Sequence, residues 1–152
     1  QGNYIGTDAS GGARLDNGHF GVFVQDAGET TIGGATPAAR NIISGNSSAG
    51  ITIFSDSVVV QGNYIGTDVS GTRALPNTTS VYLDNSARHN VIGTDGDGID
   101  DGLEGNLISG NTGAIRLRGA GTQDNVVAGN LIGTDASGTA PLPNLVGLVS
   151  SV

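Results

Sequence analysis

The sequence predicts an all-β solenoid of about five turns, with three short strands in each turn and no significant helix. An octad, QGNYIGTD at residues 1–8, recurs at residues 61–68 and, as AGNLIGTD, at residues 128–135. Between the octads, short alternating apolar runs begin at steps of 29, 30, 34 and 33 residues, at Val22, Ile51, Val81, Ile115 and Leu148. No longer segment carries apolar residues at helical spacing, and 27 of the 152 residues are glycine, which weakens helices. A fixed period of this kind is typical of solenoids.

The octads divide a single domain into super-repeats of 60 and 67 residues, about 1–60, 61–127 and a partial 128–152. Each super-repeat contains two of the alternating runs. This favours two turns of about 31 residues per super-repeat, a length within the range of known solenoid repeats. Three turns of about 21 residues stay open as the alternative. Gly, Asn, Asp and Ser bound the short apolar runs, as turn residues bound strands.

Such short strands are stable only if the turns stack, because ordering each backbone residue costs roughly 1–2 kcal/mol. Stacked turns pair each strand in parallel with its equivalents above and below, and inward side chains then form continuous apolar columns. The sequence predicts three columns. They are Val22, Ile51, Val81, Ile115 and Leu148; Val24, Ile53, Leu83 and Leu117; and Ile5, Ile65 and Ile132.

Recurring Asn and Asp residues predict the corners of the turns. Asn tolerates left-handed backbone and can hydrogen-bond to its neighbours in the stack, which makes Asn3, Asn46, Asn63, Asn111 and Asn130 corner candidates. The octad aspartates Asp8, Asp68 and Asp135 are expected to accept hydrogen bonds from backbone N–H groups two residues on. A metal-binding or catalytic role for these aspartates stays open.

These octads, with the segments NIISGN at 41–46 and NLISGN at 106–111, resemble the repeats of right-handed parallel β-helix proteins. The resemblance is to GNxIGTDxxG-type repeats of large secreted or surface bacterial proteins in the pectate-lyase-like superfamily. It covers nearly the whole chain and implies a right-handed parallel β-helix. That superfamily includes polysaccharide lyases and hydrolases, tailspikes, adhesins and structural spacers, so the fold alone does not choose a function.

Composition excludes several classes of function. Fourteen acidic residues against six basic ones, all arginine, give a formal charge of −8, so a phosphate-binding surface for nucleic acid is not expected. No apolar run approaches the roughly 20 residues of a membrane-spanning helix. The chain has no Cys, which rules out disulfides and thiolate chemistry.

The densest cluster of carboxylates predicts a calcium site. The segment DGDGIDDGLE at 95–104 offers oxygen ligands on a Gly-rich backbone, as calcium prefers. We expect Asp95, Asp97, Asp100 and Asp101 to be the ligands, with Glu104 a less certain fifth. A solvated acidic loop without an ion is the alternative. The segment is an insertion in a turn and not a set of residues contributed by successive stacked strands, which argues against catalysis, so we assign no catalytic residue.

A second candidate site lies on the outward positions of one strand row. Phe23, Phe54, Tyr82, Arg116 and Arg118 are expected there, and rings beside charged groups are suited to sugars. Exposed aromatic residues are also good strand formers, which is the alternative explanation.

Together these observations predict a structural or adhesive module of an extracellular or cell-surface assembly. The chain starts with an octad and stops in a strand-like run, so we expect either a part of a longer solenoid or copies that associate end to end through open strand edges. A carbohydrate-binding module, or a polysaccharide lyase or hydrolase, is the alternative function.

Overall fold

The computed structural model describes residues 1–151, which form three parallel β-sheets wound around one apolar core. The elements in chain order are β1 (Tyr4–Ile5), β2 (Val22–Gln25), β3 (Thr30–Gly33), β4 (Ile42–Ile43), β5 (Ala49–Phe54), β6 (Val58–Gln61), β7 (Tyr64–Ile65), β8 (Thr79–Leu83), β9 (Val91–Gly93), α1 (Asp101–Glu104), β10 (Leu107–Ile108), β11 (Gly113–Arg118), β12 (Val126–Ala128), β13 (Leu131–Ile132) and β14 (Val149–Ser151).

Every third strand pairs with its equivalent in the next turn. Sheet 1 has the order β1-β4-β7-β10-β13, sheet 2 has β2-β5-β8-β11-β14, and sheet 3 has β3-β6-β9-β12. The parallel β-solenoid with three strands per turn is therefore confirmed. Each super-repeat winds as two turns. The described chain completes four turns and adds two strands of a fifth, slightly fewer than the five expected. Its single-turn helix, α1, lies in the acidic segment, and no helix of residues 1–151 is long and apolar enough to cross a membrane.

The expected apolar columns form the core. Val22 pairs in register with Ile51, Ile51 with Val81, and Val81 with Ile115. The second column follows two residues further along the same strands, and Ile43 and Ile108 complete the column of Ile5, Ile65 and Ile132. Burial is complete in the middle turns, where Ile51, Ile53 and Ile65 are 0% exposed, and is lost at Leu148, which is 50% exposed.

The corner that connects sheet 1 to sheet 2 is of two kinds, which alternate from turn to turn. In the first, third and fifth turns the chain makes a hairpin, which we call an octad loop (residues 7–14, 67–74 and 134–141), closed by an antiparallel bridge at its base. In the second and fourth turns it makes a short corner instead, around Gly45 and Gly110. Consecutive octad loops bond directly to each other across the short-cornered turn, from Val69 N to Gly11 O at 3.0 Å and from Ala136 N to Gly71 O at 3.0 Å.

An octad loop therefore occupies the height of two turns. The short corner is enclosed between loops, since Gly45 N donates to Leu75 O at 2.9 Å and Gly110 N to Leu142 O at 3.1 Å. Both glycines have positive φ, and a Cβ on Gly110 would meet Ala74 at 2.7 Å. Loops two turns high fit only on every other turn, which explains why the sequence repeats every two turns.

Two ladders of stacked asparagine side chains run the length of the solenoid, one on each side of sheet 1. Ladder 1 consists of Asn3, Asn41, Asn63, Asn106 and Asn130, and ladder 2 of Asn17, Asn46, Asn77, Asn111 and Asn144. At each rung the side-chain amide donates to Oδ1 of the asparagine in the next turn, for example from Asn63 to Asn106 at 3.0 Å. The backbone N–H of Asn63 donates to the same oxygen at 3.0 Å. The ladders thus satisfy polar groups that the corners bury.

The five predicted corner asparagines all belong to these ladders, so their hydrogen bonds to stack neighbours are confirmed. Their predicted left-handed backbone is wrong, because none of them has positive φ. The glycine that precedes each one supplies that conformation, as at Gly62, where φ is +68°. Gly bears the positive φ at no steric cost, which leaves the asparagine free to extend along the stack.

The octad aspartates close their loops by longer-range contacts than the sequence suggested. Asp68 Oδ1 accepts hydrogen bonds from Ser70 Oγ at 2.8 Å, Thr72 N at 3.1 Å and Arg73 N at 3.2 Å, so the N–H donors lie four and five residues on. Partial burial of Asp68 opposes ionisation, but these hydrogen bonds and the nearby Arg73 still lower its pKa. Asp8 and Asp135 repeat the arrangement.

Removing one central rung is expected to destabilise the whole stack. Asn63→Ala takes away the acceptor of both the N–H and the side-chain amide of Asn41, in a corner where Asn63 is 0% exposed. We expect a loss of about 2–4 kcal/mol in the free energy of unfolding, measured by urea denaturation with circular dichroism.

Asn3→Ala is the matched control, because Asn3 is the exposed first rung of the same ladder. It is expected to cost about 1 kcal/mol or less. Equal losses in the two variants would contradict the role assigned to the ladder.

Candidate functional site

On the outer face of sheet 2, the aromatic rings of Phe23, Phe54 and Tyr82 follow one another from turn to turn along the solenoid axis. The rings of His19 and Phe20, which precede β2, extend this row at the first turn. We call the five rings the ring ladder. The ring centroids of Phe20 and Phe23 are 5.4 Å apart, those of Phe23 and Phe54 are 5.3 Å apart, and those of Phe54 and Tyr82 are 6.1 Å apart. His19 packs edge-on against Phe20, with the ring centroids 3.9 Å apart.

Register explains why these rings meet. Phe23 pairs with Thr52 and Thr52 with Tyr82, so the three side chains share one outward row, and Phe54 lies two residues along from Thr52. Because Phe54 contacts both Phe23 and Tyr82, the three rings close over Thr52. Thr52 is 0% exposed and its hydroxyl has no hydrogen-bond partner. The rings form a packed surface of half-buried aromatic faces.

Arg116 and Arg118 continue this face beyond Tyr82. Arg116 pairs in register with Tyr82, and both arginines are exposed on β11. The Tyr82 hydroxyl donates a hydrogen bond to Asp84 Oδ2. Burial and the neighbouring Asp84 together raise the pKa of Tyr82, an effect that Arg118 partly offsets. The structure therefore places all five residues that the sequence predicted for ligand binding, Phe23, Phe54, Tyr82, Arg116 and Arg118, on one face.

A cleft of about 560 Å³ adjoins the ring ladder at Phe54, and the sequence analysis missed it. The turns that leave sheet 2 line it, with the carboxylates of Asp26, Glu29 and Asp56. Asp26 adopts left-handed backbone, as do three further lining residues, Ser57, Asn85 and Ser86. Asp26 directly follows β2, and the other three lie in the turns after β5 and β8, so strand register is the signal that would have brought them together.

The acidic segment folds as a loop around α1. One carboxylate oxygen from each of Asp95, Asp101 and Glu104 lies within 4.8 Å of the other two. Thr94 Oγ1 donates to Asp101 at 2.7 Å, and the backbone N–H of Asp95 lies 3.3 Å from Glu104 Oε2. Glu104 is 8% exposed and accepts a hydrogen bond from Gln61 at 3.0 Å.

Of the four calcium ligands predicted from the sequence, the structure places Asp95 and Asp101 in this cluster. Asp97 and Asp100 lie outside it, and both are exposed. Glu104, the less certain fifth residue, takes their place because α1 turns its side chain back toward Asp95. Helix periodicity explains this, since residues three apart, such as Asp101 and Glu104, share a helix face.

Comparison with known proteins gives no family. No protein-family model matches the chain, and neither a curated protein nor a solved structure matches it.

Calcium binding at the acidic loop stays a prediction that two substitutions can test. We expect calcium to raise the thermal unfolding midpoint of the wild-type chain, because an ion that binds only the folded state stabilises it. Asp101→Asn should remove this shift, and Asp97→Asn, outside the cluster, should keep it. Scanning fluorimetry with calcium and with chelator measures both. An unchanged wild-type midpoint would contradict calcium binding.

Proposed function

We propose that this protein is an adhesive β-solenoid module of an extracellular or cell-surface assembly, and that the ring ladder binds carbohydrate. The observation that carries the proposal is the run of ring contacts from His19 to Tyr82 along one exposed face. Aromatic faces pack on the apolar faces of sugar rings, and nearby polar groups orient the hydroxyls. The repeat resemblance to secreted and surface β-helix proteins of the pectate-lyase-like superfamily supports the location.

The geometry favours an extended ligand. Phe23, Phe54 and Tyr82 come from three successive turns, and neighbouring strands are about 4.8 Å apart. A linear oligosaccharide lying along the axis would place successive sugar units over successive rings. The stacked backbone fixes these positions before binding, which lowers the entropic cost of association.

A glycan panel and ring substitutions test this proposal. Phe54→Ala and Tyr82→Ala should each weaken oligosaccharide binding about tenfold, since each deletes a ring contact of roughly 1–2 kcal/mol. Titration calorimetry gives the affinities, and thermal unfolding checks that the variants fold.

Tyr4→Ala is the matched control, because Tyr4 is 48% exposed but lies on sheet 1, away from the ring ladder. Equal loss of affinity in this variant, or no binding to any glycan in the panel, would contradict the proposal.

Polysaccharide cleavage is the alternative function, for which the cleft at Asp26, Glu29 and Asp56 would supply the carboxylates. New reducing ends in the same incubations would favour it.

End-to-end association through open strand edges is a second proposal. One feature of the stack opposes it in its simplest form. Stacking the first turn on the fifth would bring two octad loops onto adjacent turns, where the structure always has a short corner between them. Sedimentation velocity at increasing concentration decides: growing species support association, and a constant monomer contradicts it.

A further inference from the structure

We propose that the carbohydrate recognised by the ring ladder is acidic, and that Arg116 and Arg118 hold its carboxylate or sulfate group at the fourth turn. This inference rests on the proposed carbohydrate binding and specifies the class of ligand. Three observations carry it: the position of the two arginines, their lack of carboxylate partners, and the distribution of charge around the ring ladder.

The two arginines are placed side by side at the end of the ring ladder. Residues two apart on a strand point to the same face, about 6.6 Å apart along the chain. Arg116 lies directly beside Tyr82 in register, so a sugar on Tyr82 would bring an acidic substituent within reach of both guanidinium groups. Guanidinium groups bind carboxylate and sulfate oxygens through paired N–H donors.

The other four arginines are engaged elsewhere. Arg14 pairs with Asp16 at 3.0 Å and Arg73 with Asp68 at 3.4 Å. Arg40 lies over the Tyr64 ring at 4.1 Å, and Arg88 Nε donates to the Gly121 carbonyl at 3.0 Å.

Arg116 and Arg118, in contrast, form no ion pair with any residue of 1–151. Asp84 is the nearest candidate by register, since Leu83 pairs with Leu117. Its carboxylate instead accepts hydrogen bonds from the Tyr82 hydroxyl and from Asn85 N. Two adjacent exposed cations without carboxylate partners stand out in a chain of formal charge −8.

Charge also sets the direction of the ligand. The cleft carries the carboxylates of Asp26, Glu29 and Asp56 in its first two turns, and these repel an anion there. Further along the axis, Arg116 and Arg118 attract it, because their two positive charges outweigh the single carboxylate of Asp84 beside them. The acidic unit of the oligosaccharide is therefore held at the fourth turn, and uncharged units lie over Phe54 and Phe23.

The experiment compares three probes of matched length: a hexasaccharide containing glucuronic acid, the same hexasaccharide with its carboxyl groups methyl-esterified, and a sulfated neutral hexasaccharide. We expect the acid to bind at least about tenfold more tightly than the ester, because only the charged carboxylate forms charge-assisted hydrogen bonds with the two guanidinium groups. Raising the salt concentration should erase this difference and leave ester binding unchanged. The sulfated probe shows whether sulfate replaces carboxylate.

The double variant Arg116→Gln/Arg118→Gln should bind acid and ester equally, with the affinity of the wild-type chain for the ester. The control Arg14→Gln/Arg73→Gln makes the same change in net charge away from sheet 2 and should keep the preference for acid. Equal wild-type binding of acid and ester, or loss of the preference in the control, would overturn the inference while carbohydrate binding stands. Failure of all three probes and of every neutral glycan would instead overturn the proposed function and this inference with it.

Discussion

The asparagine ladders are the interaction on which the other features of this solenoid depend. Each turn buries corner amides that strand pairing does not reach, and an unpaired buried amide costs about 1–3 kcal/mol. Repeating asparagine at two corners satisfies these groups from turn to turn, with Asn63 and Asn77 as central rungs. Ladder 2 precedes sheet 2 in every turn, and the strands of sheet 2 pair in the register that brings Phe23, Thr52 and Tyr82 into one row.

The octad loops add a second level of order. A loop that spans two turns imposes a period of two turns on the sequence, even though the core repeats every turn. This explains why the octads recur after 60 and 67 residues while the apolar runs recur about twice as often. The octad aspartates serve this purpose: hydrogen bonds from the loop's own hydroxyl and N–H groups lower the pKa of Asp8 and Asp135 and hold both carboxylates in a closed hairpin.

The sequence predicted features that follow directly from periodicity. Alternation placed Ile51 and Ile53 in the core and Phe23 and Tyr82 on the outer face, because strand pairing carries a pattern from one turn to the next. Turns were harder to predict, since local backbone decides them. At the ladder corners glycine, not asparagine, has the left-handed backbone. In the acidic segment the short helix brings Glu104, the less certain of the five predicted residues, to Asp95 and Asp101, and leaves Asp97 and Asp100 outside the cluster. The cleft at Asp26 and Asp56 joins residues of different turns whose surroundings share no motif.

The most direct test of this account is hydrogen exchange measured by NMR at the backbone amides of the ladder asparagines. If the ladders hold the turns together, the N–H groups of Asn63 and Asn77, which donate to the next rung at 3.0 Å, exchange as slowly as those of the core strands and open only with global unfolding. Exchange at these amides as fast as at the exposed tips of the octad loops would contradict the account, and would leave strand pairing alone to hold the stack.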